Sequence, residues 1–411
     1  MLRRTLSDLA SDSRTGLKQA VTAQTLQHQS VDRWYYFPHS FSSELVYSVA
    51  SAWELTEDDQ IVDPFVGSGT TLVAAQRMGI PSRGYDLSPF AVLISSAKTH
   101  QYDVQELEKS WCLLKRALGT KGPSAVTTTP SLLRKALDAE ILDRLRAARL
   151  VIDEFPRDVR DFFLAAIASV LPAFSLFQKK GGWGTWGCDR LPPKDFSPSL
   201  SKAINGMIED LKSDDRACWD CEVQLADARK LPAKDESFTA GVTSPPYPNR
   251  HDYTRIFCLE LLALLQSEAE LQALRRQTLH SHPEAKPKRP TTIGYVAPSG
   301  LVEQIAKLRN EATDLRVPAM LEGYFLDMFL VLGELHRVIK KGGTVAIVVG
   351  NVRYCGKMIP VDSYIEEIAA QVGLTCCEKH IARRRGNSAQ QMAEYGREPA
   401  RETVLLLQRE A

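Results

Sequence analysis

Ile61-Val62-Asp63-Pro64-Phe65-Val66-Gly67-Ser68-Gly69-Thr70-Thr71 passes from an apolar strand through a glycine-containing turn into a helical pattern that continues over 72–78. Glycines at such a turn let the backbone approach a ligand closely, and the free amides of a helix start favour an anionic group such as a carboxylate. A second strand ends in Gly84-Tyr85-Asp86-Leu87-Ser88-Pro89-Phe90, which places an acid 19 positions after Gly67. In nucleotide-binding α/β folds an acid at about that distance accepts hydrogen bonds from ribose hydroxyls. Thr70, Thr71 and Leu72 stand where the dinucleotide fingerprint has a third glycine, so a nicotinamide cofactor is disfavoured.

This βαβ unit occupies 31–100, with a helix carrying Leu45, Val46 and Val49 on one face ahead of it. Residues 1–30 are expected to form a helical extension. Residues 101–215 read as a mainly helical insertion, with Ile141, Leu142, Leu145 and Ala148 at helical spacing and a loop at 181–187. Strands return within 216–266, at 222–225 and 240–243, ahead of a helix over 254–265. A stretch rich in Pro, His, Lys and Arg within 267–318 reads as a mobile surface insertion. Residues 319–411 resume with a helix over 320–339, a strand at 344–349, a helix over 361–372 and a strand at 402–407. Strands alternating with helices predict an α/β fold: one doubly wound, largely parallel Rossmann-like sheet with a large helical insertion and a second, smaller one.

The 411 residues are 44% hydrophobic and 25% charged, ordinary globular proportions. Lys+Arg 51 against Asp+Glu 50 leaves a formal charge of +1, so nucleic-acid contact would rest on local basic patches. No run reaches the roughly 18 apolar residues of a membrane span, and Met1-Leu2-Arg3-Arg4 leads into polar sequence; a soluble cytoplasmic protein is expected. Cys218 and Cys221 form a single CxxC without a second pair, so no metal is expected.

The motif with most chemical content is Thr243-Ser244-Pro245-Pro246-Tyr247, at the end of the apolar strand that contains Ala240 and Val242. Ligands bind at such strand ends in open parallel sheets. Two prolines fix their φ angles and push the preceding residue toward extended geometry, which gives a stiff rim with exposed acceptors and an aromatic ring. That rim suits an aromatic amine: acceptors at Ser244 and the following carbonyl take hydrogen bonds from the amino protons, and Tyr247 stacks on the base.

Together these strings resemble the S-adenosylmethionine-dependent DNA amino-methyltransferases, whose cofactor motif reads DPFxGxGTT and whose catalytic motif reads [DNS]PP[YF]. The serine form is similar to the cytosine-N4 enzymes. The resemblance covers about half of the chain. It implies transfer of a methyl group from S-adenosylmethionine to N4 of a flipped-out cytosine in double-stranded DNA, with Ser244, Pro245, Pro246 and Tyr247 catalytic. It also implies that Asp63, Phe65, Gly67, Ser68, Gly69 and Thr70 hold the methionine part of the cofactor, Asp86 and Leu87 the ribose, and Asp227 and Ala228 the adenine. Pro38-His39-Ser40-Phe41 is similar to the segment that closes over the cofactor, with His39 and Phe41 in contact. The cofactor motif precedes the catalytic motif here, whereas many members of the family have the reverse order.

Candidate DNA contacts are Lys179, Lys180, Trp183 and Trp186 in the glycine-rich loop, Arg250 beside the catalytic motif, and Arg383, Arg384 and Arg385 in a basic tail. Asp252 is a candidate proton acceptor or a helix cap. A cognate restriction nuclease or other defence components remain open as partners, as does oligomeric state. Rival readings are an adenine-N6 enzyme, an RNA base methyltransferase, and a DNA-binding regulatory protein with an inactive core.

Overall fold

The computed structural model describes residues 16–119, 129–180, 183–187, 195–218, 220–264, 267–288, 294–312, 314–386 and 389–410. Its strands in chain order are β1 (Ile61–Asp63), β2 (Ser82–Asp86), β3 (Phe177–Lys180), β4 (Trp183–Trp186), β5 (Cys221–Leu225), β6 (Phe238–Thr243), β7 (Ile339–Gly350), β8 (Val352–Tyr354), β9 (Lys357–Ile359), β10 (Leu374–Arg385) and β11 (Ala400–Arg409). Seven of them form one sheet in the order β10-β11-β7-β6-β1-β2-β5. The five strands from β5 to β7 are mutually parallel, and β11 runs antiparallel between β7 and β10. The chain builds β2 and β5 on one side of β1 and β6 and β7 on the other, so the order reverses between β1 and β6. That reversal opens a crevice at the carboxyl edge of an α/β sheet.

Alternation along β7 shows how the sheet is covered. Val345, Ile347 and Val349 pack with the helices Arg316–Val338 and Val361–Gln371 on one face, while Ala346 and Val348 pack with Ser43–Ala52 and Thr70–Met78 on the other. Local chemistry sets the helix starts at the crevice. Ser88 caps Pro89–Thr99 by accepting from the Ala91 amide, with proline at the first helical position. Thr70–Met78 starts at Gly69, whose φ of 85° lies in the left-handed region. A Cβ there would also approach the Ser95 Cβ to 3.1 Å, so Gly69 lets two helices close together.

The large insertion is helical, as expected, through Val104–Leu118, Ala139–Ile152, Arg157–Val170 and Phe196–Lys212. It shares one core with the sheet's helix layer: Trp111 and Phe162 belong to the same buried cluster as Trp34, Phe90 and Phe257. Three expectations change. The stretch at 183–186 is a strand, paired with β3 in a hairpin. The smaller insertion contains the helix Glu268–Gln277, started by a reciprocal Ser267–Glu270 capping box, and then Ser281, His282 and Ala285, all buried. The basic tail begins with β10, a strand not anticipated because Lys379-His380-Ile381-Ala382-Arg383-Arg384-Arg385 lacks the apolar alternation of a half-buried strand. No helix of the described residues is long and apolar enough to cross a membrane.

Candidate active site

Asp63 ends β1 and ties three elements together. Its carboxylate accepts from the Thr71 hydroxyl at 2.6 Å, the Thr243 hydroxyl at 2.6 Å and the Phe65 amide at 3.0 Å. These bonds lock the turn, the helix Thr70–Met78 and the end of β6 in one arrangement. Asp86 ends β2 and accepts from the amides of Gly67 at 3.1 Å and Ser88 at 2.8 Å. Burial pushes both carboxyls up, each to about 6, against the hydrogen bonds that favour their charged forms.

Both acids line a cavity at the carboxyl edge together with His39, Phe41, Phe65, Gly67, Thr70, Leu87, Asp227 and Ala228. Ten of the twelve residues expected at the cofactor therefore converge on one space. Ser68 and Gly69 do not line it: Ser68 is buried with its hydroxyl 3.1 Å from that of Ser40, and Gly69 serves helix packing. The rest of the wall was not legible from motifs. Phe37, Phe257, Leu274 and Leu279 make it apolar, and Thr278, Ser281 and His282 come from the smaller insertion.

The lining contains the three carboxylates of Asp63, Asp86 and Asp227 and, among the described residues, no Lys or Arg. Such a wall fits a cationic ligand with an aromatic ring and hydroxyl donors, and is unsuited to a pyrophosphate. The Asp227 carboxylate is partly engaged already, by Arg229 at 2.6 Å.

The Thr243–Tyr247 segment lies where this cavity meets a second, more polar one. The second is lined by Ser244, Pro245, Tyr247, Asn249, Arg383, Arg385 and Glu402; His39, Ser40, Phe41, Ser244 and Tyr253 line both. Pro246 faces the first cavity and Pro245 the second. The Ser244 hydroxyl donates to the Val348 carbonyl at 3.3 Å, which leaves its lone pairs as acceptors. Tyr247 donates to Glu402 at 2.9 Å, and burial raises its pKa well above the ordinary value, so the phenol stays neutral. His39 and His251, with ring centroids 5.4 Å apart, are both held neutral: burial lowers each pKa, His251 to about 4, and Arg385 adds to the effect on both. Asp252 caps Tyr253–Ile256 through the Arg255 amide and pairs with Arg275 at 2.8 Å, so its carboxylate is a structural cap.

The candidate DNA contacts separate by what their charges already hold. Lys179 is turned inward: its ammonium pairs with the fully buried Glu260 and lies 2.9 Å from the Tyr35 hydroxyl, anchoring the hairpin to the core. Arg383 is paired with Glu402, and Arg250 lies 3.3 Å from Asp314. Elsewhere in the tail, Lys379 pairs with Glu366 and Arg401 with Asp362. Trp186 is 43% exposed on the hairpin beneath the Lys135 ammonium. Arg384 is exposed and Arg385 half-buried. The side chains of Lys180 and Trp183 lie outside the described residues.

A family model for N6 and N4 methylation, described as DNA methylase, matches residues 16–97. The chain is 26% identical over 456 residues to the Type II methyltransferase M.BsoBI of Geobacillus stearothermophilus, covering 97% of this chain and 89% of that protein. Against the Type II methyltransferase M.AvaI of a Nostoc species, the identity is 27% over 438 residues, covering 94% and 88%. The Type II methyltransferase M.MvaI of Kocuria varians is 22% identical over 343 residues, covering 76% and 74%.

Proposed function

We propose that this chain, which belongs to the DNA amino-methyltransferases, methylates the exocyclic N4 of cytosine in double-stranded DNA as the modification enzyme of a restriction-modification pair. The observation that carries this reading is the position of Ser244-Pro245-Pro246-Tyr247 on the wall between an anionic, apolar-sided cavity and a polar one. S-adenosylmethionine, when bound, supplies an electrophilic methyl group on a sulfonium. Asp63, Phe65, Gly67 and Thr70 would hold its methionine end, Asp86 its ribose and Asp227 its adenine.

The chain's own part is to position and polarise the amine. Pro245 and Pro246 have no N–H, so the rim beside Ser244 offers acceptors without competing donors and suits an NH2 group. Hydrogen bonds from the amine to the Ser244 hydroxyl and the following carbonyl localise its lone pair toward the cofactor cavity. Neutral His39 and His251 put no further positive charge beside the transferring methyl. The exposed Trp186, Arg384 and the β3–β4 hairpin, which touches Tyr253–Ile256 beside the site, are the proposed duplex contacts.

The test is to incubate the protein with labelled S-adenosylmethionine and PCR-amplified genomic DNA, then identify the modified nucleoside by mass spectrometry. N4-methylcytosine is expected. N6-methyladenine alone would overturn the choice of base and keep the rest, and label confined to added RNA would overturn both.

A pH dependence of opposite signs is also expected. Ionised Asp86 is needed to accept from ribose hydroxyls, so the cofactor Kd should rise by about tenfold per unit as pH falls below about 6. Stability of the unliganded protein runs the other way. Both acids have folded-state pKa values raised from 3.8 to about 6, so their contribution is full below about 4 and is lost as pH rises through 6. Calorimetric titrations and thermal melts between pH 4 and 8 read the two effects; a Kd that stays flat below pH 6 would remove Asp86 from the ribose site.

A further inference from the structure

We propose that Arg385 reads the target base, donating its guanidinium fork to N3 and O2 of cytosine while Ser244 and the following carbonyl hold N4. The proposal rests on the cytosine-N4 reading above and adds the group that enforces it.

Arg385 ends β10 at the same carboxyl edge as the catalytic segment and lines the polar cavity with Ser244, Pro245, Tyr247 and Asn249. Its guanidinium carbon lies 5.3 Å from the centroid of the Tyr247 ring. The fit depends on Gly350 at the end of β7. A Cβ there would come within 2.6 Å of an Arg385 nitrogen and 2.8 Å of the Tyr247 ring, so only glycine leaves space for both.

The neighbouring cations are committed: Arg383 to Glu402, Lys379 to Glu366 and Arg401 to Asp362. Arg384, between Arg383 and Arg385, points to the opposite face of the strand and is exposed. Among the described residues Arg385 has no hydrogen-bond or carboxylate partner, and its contact is the Tyr247 ring. No nitrogen of this half-buried guanidinium is buried without a partner, so its fork keeps access to the polar cavity and can exchange solvent for the acceptors of a ligand there.

The acceptors must come from a group whose amine sits at Ser244. Next to its amine, cytosine presents two adjacent acceptors, N3 and O2. Adenine presents N1 and then a C–H. The planar fork of arginine donates two parallel N–H bonds, so it is satisfied by cytosine and left with one donor facing carbon by adenine. A site that spends a buried donor on a substrate acceptor discriminates strongly against the analogue without it.

The experiment compares wild type, Arg385→Ala and Arg385→Lys on PCR-amplified genomic DNA. It reads N4-methylcytosine and N6-methyladenine by mass spectrometry, cofactor affinity by calorimetry, and the salt dependence of binding to the same DNA. Arg385→Ala is expected to lower N4-methylcytosine formation by about 100-fold or more, with cofactor affinity and the salt slope unchanged. Arg385→Lys retains the charge but not the fork, and is expected to show most of the same loss; it also serves if the alanine variant does not fold. A salt slope reduced by about one phosphate, with alanine losing activity and lysine restoring it, would make Arg385 a backbone contact and overturn the proposal. Wild-type cytosine methylation in both variants would overturn it as well. If wild type itself yields only N6-methyladenine, the underlying choice of base fails, and that result is visible before any variant is made.

Discussion

Tyr247→Ala is expected to slow methyl transfer by about two to three orders of magnitude while leaving cofactor affinity nearly unchanged, since base stacking is worth roughly 1–3 kcal/mol and lost orientation adds to it. The ring lines the polar cavity and not the one proposed to hold the cofactor, which is why the two readouts separate. Three neighbours restrain it. The phenol donates to Glu402, the Arg385 guanidinium lies near the ring, and Gly350 lets the strand pass close by. Tyr247→Phe retains the ring and loses a hydrogen bond worth about 1 kcal/mol, so its rate should fall by less than about tenfold. Glu402 keeps Arg383 as a partner in that variant, which limits any cost in stability. Single-turnover rates with labelled cofactor, beside calorimetric titrations, make the comparison. Wild-type turnover by the alanine variant would remove the ring from the mechanism.

The second large effect belongs to Asp63. Asp63→Ala withdraws the acceptor from two hydroxyls and an amide, all enclosed between β1, β6 and the helix Thr70–Met78. At about 1–2 kcal/mol for each stranded donor, the loss is roughly 3–6 kcal/mol, a large part of the 5–15 kcal/mol typical of a folded domain. Cofactor binding should be lost with it, because the turn that carries Phe65 and Gly67 is no longer tied down. Asp63→Asn should be far milder. Its remaining oxygen can still accept from Thr243 and Phe65. The Thr71 hydroxyl can turn to donate to the Val242 carbonyl, 3.3 Å away, while accepting from the new amide. Urea titrations of the two variants test this; an alanine variant as stable as wild type would show that Asp63 is not the tie described.

Gly350 illustrates how unevenly the site could be foreseen. Nothing in Val348-Val349-Gly350-Asn351 marks the glycine as more than a strand end. Its meaning depends on Tyr247 and Arg385, brought to it from distant parts of the chain. The smaller insertion is a similar case: its Pro, His and Lys content reads as a surface loop, yet Thr278, Ser281 and His282 line the cavity that holds Asp63 and Asp86. Lys179 shows the reverse error. A cation beside glycines and tryptophans suggested an outward probe, whereas Glu260, on a helix with no motif of its own, draws it inward.

The sequence by itself determined the parts whose chemistry is contained in a few consecutive residues. The βαβ unit and the placement of Asp63, Asp86 and Ser244 at strand ends follow from apolar periodicity and from glycine and proline at defined positions, while the grouping of His39, Phe41, Asp227 and Ala228 with them was implied by the family resemblance and not by those signals. Those signals act over one turn or one strand, so they survive without knowledge of neighbours. Only the tertiary structure decided which cations are free and which acids hold them. Tyr247 and Glu402 are 155 residues apart, and they meet because β11 inserts between β7 and β10 in one register. A shift of one residue would turn Arg383 and Arg385 away from the cavity and Arg384 into it. Register of that kind is set by the burial of whole strand faces across the sheet, a property of the assembled core that no local stretch of sequence contains.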